Sequence, residues 1–65
     1  MTLMRELTDG VVQVKDTETG KYIQYPDETP AFTRKMYSCY SSDGVRVITT
    51  NQARVAFAWV SDDDR

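Results

Sequence analysis

Two stretches of the chain alternate apolar and polar side chains at the two-residue period of a half-buried strand. They are Val11-Val12-Gln13-Val14-Lys15 and Lys21-Tyr22-Ile23-Gln24-Tyr25, both rich in β-branched and aromatic residues. Asp16-Thr17-Glu18-Thr19-Gly20 joins them. A short loop closing on glycine suits a type I turn followed by a residue at positive φ, so residues 11–15 and 21–25 are read as a hairpin. Pro26-Asp27-Glu28-Thr29-Pro30 ends the second strand, because proline has no N–H for a ladder and biases its predecessor away from the helical region.

A second hairpin follows. Residues 34–41 and 45–49 are apolar-rich runs flanking Ser42-Asp43-Gly44, and Asp-Gly between such runs is a strong turn signal. Two registers are open. A three-residue loop sets Tyr37 and Cys39 against Thr49 and Val47, with Val45 on the same face, whereas a two-residue loop puts Tyr40 with Val45 and Val47. A slip of one residue exchanges the faces, so the exposed tyrosine differs between them. Residues 50–60 carry both periods. Val55, Phe57 and Trp59 alternate as in a strand. Thr49-x-x-Gln52 is a capping-box pattern, and Ala53, Ala56, Phe57 and Val60 fall on one helical face. Alanine favours the helix, and an aspartate triplet at a helix C-terminus opposes the dipole. The large alternating residues tip the reading toward a strand. Leu3 and Leu7 allow one helical turn before Thr8-Asp9-Gly10, and residues 1–8 and 61–65 are assigned to flexible termini.

These elements predict a mainly β fold: one domain over residues 1–65, a small antiparallel sheet of four or five strands. A partly open barrel of the SH3-like kind is the expected closed form. The alternative is an α+β arrangement, a four-stranded sheet carrying a C-terminal helix over 50–60.

Length sharpens the picture. At 65 residues the chain buries a small core, and the usual staples are missing. Cys39 has no second cysteine to bridge to, and a structural zinc site needs more Cys or His ligands than this chain offers. Seven aromatics (Tyr22, Tyr25, Phe32, Tyr37, Tyr40, Phe57 and Trp59) supply the material for a miniature core. The opening residues do not read as a secretory signal, and no window is apolar enough to span a membrane, so no membrane partner is expected. A lone cysteine fits the reducing cytoplasm.

The net charge of −2 is unevenly spread. Residues 1–28 and the tail Asp62-Asp63-Asp64 are acidic, whereas Arg34, Lys35, Arg46 and Arg54 stand against Asp43 alone in residues 29–60. The chain has no histidine, the commonest proton-transfer side chain near neutral pH. Cys39 has no base to activate it and reads as a small buried hydrophobe. The aspartate triplet reads as a solvated tail rather than a cation site, Asp27 and Glu28 as loop residues, and the three glycines as turn residues. No enzyme activity, cofactor or metal is expected.

Arg34, Lys35, Tyr37, Tyr40 and Arg46 interleave cations with rings on one hairpin and form the candidate partner-binding set. The expected function is a non-enzymatic binding module that occupies a surface of an unidentified protein partner; small acidic accessory proteins of bacteria and phages have this size and charge. The first rival is binding of single-stranded nucleic acid, which pairs a basic groove with stacking rings but sits poorly with a pI of 4.8. A structural homo-oligomer joined through exposed strand edges or an apolar C-terminal segment is the second.

Overall fold

A computed structural model describes residues 2–61. The expectations for the tail at 62–65 lie outside the described residues. Five strands, β1 (Leu3–Thr8), β2 (Val11–Asp16), β3 (Tyr22–Pro26), β4 (Tyr37–Tyr40) and β5 (Arg46–Thr50), precede one helix, α1 (Ala53–Ser61). The strands form a single antiparallel sheet in the order β1-β2-β3-β4-β5, each paired with its neighbour in the chain. The mainly β, antiparallel expectation is met. The sheet is open rather than closed into a barrel, since β1 and β5 stand at opposite edges.

The hairpin over 11–25 forms as its turn residues require. The Asp16 N–H donates to the Lys21 carbonyl at 2.8 Å and the Gly20 N–H to the Asp16 carbonyl at 2.8 Å. The Asp16 carboxylate is buried and accepts from the Glu18 N–H at 2.8 Å and the Thr19 N–H at 3.4 Å, an Asx turn that fixes the loop. Gly20 and Gly44 both sit at positive φ, +83° and +87°. The same requirement is met by Asp9 (φ +53°) and Gly10 (φ +80°), which make the two-residue turn between β1 and β2. Residues 3–8 are therefore a strand, not a helical turn or a flexible end. The Leu3/Leu7 spacing is overridden by an Asp-Gly turn that sets Thr8 against Val11.

Two further corrections come from tertiary packing. Strand β4 begins at Tyr37, because residues 27–36 form a loop in which the Thr33 N–H donates to the Pro30 carbonyl at 2.9 Å. The register of β4 and β5 is neither of the two simple ones. Tyr40 faces Arg46, as a three-residue loop demands. A bulge at Val47 then shifts the ladder by one, so that Cys39 faces Ile48 and Tyr37 faces Thr50.

The third correction concerns residues 50–60, which are helical from Ala53. Ala56 and Val60, one turn apart, are fully buried on the sheet, and Phe57 packs beside them against Tyr25 and Tyr37. Alanine at position 56 lets the helix backbone approach the strands closely. The first helical bond runs from the Ala56 N–H to the Gln52 carbonyl at 3.2 Å, and ahead of it Thr50 Oγ1 accepts the Gln52 N–H at 3.1 Å, a local turn that leads into the helix in place of the Thr49 capping box. At the other end Lys21 Nζ donates to the Trp59 carbonyl at 2.9 Å and lies 4.9 Å over the Trp59 ring. A cation from the first hairpin thus sits at the negative end of the helix dipole.

The core is Val12, Val14, Ile23, Cys39, Ala56 and Val60. Tyr25, Tyr37, Ile48, Phe57 and Trp59 pack around it, but Phe32 is 92% exposed and takes no part. Helix α1 lies across β2 to β5, while all six residues of β1 are exposed.

The two loops at one end of the sheet touch at Gly20, where an added Cβ would stand 2.9 Å from Ser42 Cβ; at Gly44 the nearest atom, Tyr22 Oη, would be 3.8 Å away. Gly44→Ala therefore meets only the left-handed backbone penalty and should destabilise by about 1 kcal/mol. Gly20→Ala meets that penalty and the contact with Ser42, so its urea midpoint should fall further. Adding Ser42→Gly to Gly20→Ala should recover part of the difference. Equal midpoints for the two alanine variants would show that the loops do not meet.

Candidate functional site

Pairing fixes which side chains share a face. On β2, Val12, Val14 and Asp16 point toward the helix, so Val11, Gln13 and Lys15 point away. Residues directly opposite one another lie on the same side, and one row can be followed across the whole sheet on its uncovered face. Met4 faces Lys15, Lys15 faces Tyr22, Tyr22 faces Tyr40 and Tyr40 faces Arg46. The next row runs Glu6, Gln13, Gln24, Ser38 and Thr49. The centre of the first row is a ring pair: Tyr22 and Tyr40 are stacked, 4.9 Å between centroids and 8° from parallel. In the second row Gln24 Nε2 donates to Gln13 Oε1 at 3.1 Å. Two shallow depressions open here, one lined by Met4, Glu6, Gln13 and Lys15, the other by Glu6, Thr8, Asp9, Val11, Gln13 and Gln24.

The structure separates the five residues proposed from sequence. Tyr40 and Arg46 share the uncovered face. Tyr37 is on the opposite side, 4.8 Å from Tyr25 and 6.4 Å from Phe57 between ring centroids, packed on the core. Lys35 is occupied locally: its Nζ donates to the Asp27 carbonyl at 3.4 Å and lies 5.4 Å over the Tyr25 ring. Arg34 is exposed in the loop before β4. Tyr22 and Lys15 belong to the first row, although the pattern along the second hairpin does not include them. Their signal was present in the first hairpin, since alternation puts both on the side opposite Val12, Val14 and Ile23. What sequence lacked was the register that joins the two hairpins.

The rim adds two electrostatic details. Asp43, in the β4–β5 loop, has its carboxyl held below the usual aspartate range by hydrogen bonds from the Ser41 hydroxyl first and the Val45 N–H second. Its carboxylate form thus favours the closed turn, a contribution present above the ordinary aspartate pKa and lost as pH falls. On the other side, burial pushes the Cys39 thiol pKa up. A raised pKa and a fully buried sulfur make it a poor nucleophile at neutral pH, in keeping with a packing role. Among the described residues no cluster of Cys, Asp or Glu is arranged to hold a metal ion. No described helix is long and apolar enough to cross a membrane.

Comparison with family models, with curated proteins and with solved structures finds no match to this chain.

The position of Cys39 yields a measurement. Alkylation by iodoacetamide should be far slower in the native protein than in urea and should rise with the unfolded fraction. Native-state labelling as fast as that of a free thiol would place Cys39 outside the core.

Proposed function

We propose that this protein is a non-enzymatic binding module that engages a protein partner through the uncovered face of its sheet. The observation that carries this reading is the row Lys15–Tyr22–Tyr40–Arg46, a stacked ring pair flanked by one cation on each side. Tyrosine and arginine are over-represented at interface hot spots, because rings bury area at low entropic cost and guanidinium offers several donors. The ring pair is already rigid through stacking, so little side-chain freedom is lost on association. Gln13, Gln24, Ser38 and Thr49 would form a polar margin beside it, the usual arrangement of an interface with an apolar or aromatic centre. The lone cysteine keeps the cytoplasm as the proposed compartment.

The same row favours a second reading. Rings between cations on an open sheet can stack bases of single-stranded nucleic acid. Arg34 and Lys35 do not join this row, which leaves Lys15 and Arg46 as its phosphate contacts. Glu6 on the same face and a pI of 4.8 weigh against it.

Affinity capture from native host extract, repeated after nuclease treatment, separates the two. A protein captured by the native chain after nuclease, and lost with Tyr40→Ala or Arg46→Ala but retained by an Arg34→Ala control, is the expected result. For oligonucleotides, two contacts would give a salt slope of about 1.4 log units per decade. Submicromolar oligonucleotide binding with that slope, abolished by neutralising Lys15 and Arg46, would replace the first reading by the second.

A further inference from the structure

A different surface, independent of the tyrosine row, is the free edge of β1. We infer that β1 accepts an added antiparallel strand from a partner protein, an extended segment with an acidic residue flanked, two positions to each side, by apolar ones.

The argument starts from the Asp9-Gly10 turn. In a two-residue hairpin the flanking residues, here Thr8 and Val11, form a hydrogen-bonded pair, and inward bonding then alternates along the strand. The even positions of β1 bond to β2. At the far end this pattern continues, with the Thr17 N–H donating to the Thr2 carbonyl at 2.9 Å. The N–H and C=O groups of Leu3, Arg5 and Leu7 accordingly point outward, an unpaired row ready for a ladder. Strand β1 runs for six residues in unbroken register, without proline or bulge. The other edge, β5, is interrupted by its bulge at Val47, one of the devices that blunt a sheet edge.

The side chains name the occupant. Leu3, Arg5 and Leu7 all lie on the helix side of the sheet, where β1 is uncovered; Leu3 is 39% and Leu7 53% exposed. A second copy of this chain is the first candidate. A two-fold axis normal to the sheet, in the register that uses all three outward residues, sets Leu3 against Leu7 and Arg5 against Arg5. Like charges directly opposite one another are destabilising, so the edge discriminates against itself. The complementary residue opposite Arg5 is a carboxylate, and those opposite Leu3 and Leu7 are apolar. Arg5 is available for it. Asp27 stands 3.9 Å from its Nη2, the long end of an ion pair, and 60% of the Arg5 side chain is exposed.

The test pans a random octapeptide display library on the full 65-residue protein and titrates a synthetic peptide of the selected sequence by NMR. Selected peptides should carry the apolar–x–acidic–x–apolar pattern. Bound peptide should slow hydrogen exchange at the amides of Leu3, Arg5 and Leu7, leaving those of Met4, Glu6 and Thr8 little changed. Leu7→Pro removes one outward N–H at an edge position that tolerates proline, and affinity should fall about tenfold. Should that variant not fold, Arg5→Glu carries the test, by switching the selected central residue from acidic to basic. No enriched pattern, a pattern indifferent to Arg5→Glu, or protection of all six amides alike would overturn the proposal. So would a dimer in sedimentation with the odd-numbered amides already protected.

Discussion

A nine-residue helix is about 13 Å long, and five strands side by side are about 19 Å wide. That mismatch governs the molecule. One short helix can cover most of one face of this sheet and nothing of the other. Laid across β2 to β5, α1 makes the buried core possible and leaves three surfaces to solvent: the far face, β1 beside the helix, and the β1 edge. The exposed helix side of β1 follows from a cover narrower than the sheet, the bare far face from there being one helix among the described elements, and the β1 edge from its place at the end of the strand order.

The core is correspondingly thin. Its six residues include an alanine and a cysteine, and the remaining contacts come from half-buried rings. Tyr25, Tyr37 and Phe57 form an edge-on cluster between the sheet and the helix, with centroids 4.8 to 6.4 Å apart. Contacts of this kind add about 0.5–1.5 kcal/mol per pair beyond area burial. In a chain with a single cysteine and, among the described residues, no cluster placed to hold a metal ion, such rings supply packing that a larger domain would draw from aliphatic layers. The Lys21 bond to the Trp59 carbonyl extends the same economy, holding the helix end from the β2–β3 loop 38 residues away in sequence.

Much of this was legible in the residues themselves. Turn chemistry located four of the five strands, and the two glycines it singled out are at positive φ. The Asp9-Gly10 pair carried the same signal for β1 and was outweighed by the spacing of two leucines. Two facts depended on contacts between elements. The bulge at Val47 appears only when β4 and β5 are both placed, and it decides what Tyr37 and Cys39 face. Residues 53–61 could follow either period, and the helix prevails because Ala56 and Val60 meet an open apolar sheet face. The candidate site suffered most from this limit. Adjacency along one hairpin suggested that Arg34, Lys35, Tyr37, Tyr40 and Arg46 act together, whereas the sheet groups residues by row, bringing Tyr22 and Lys15 beside Tyr40 and sending Tyr37 to the other side.

The plain meander of the sheet has a kinetic consequence. Every strand pairs with the one before it, so no long loop has to close before a ladder can start; the largest gap, between β3 and β4, is ten residues. For a β protein this is a topology of low contact order, and assembly can proceed hairpin by hairpin along the chain. The helix is last in sequence and docks onto strands already paired. Until it does, Val12, Val14, Ile23 and Cys39 stand uncovered on one side of a preformed sheet. The interval between sheet formation and helix docking is thus when the chain is most open to aggregation and Cys39 to oxidation, and it is shortest when α1 emerges and folds promptly.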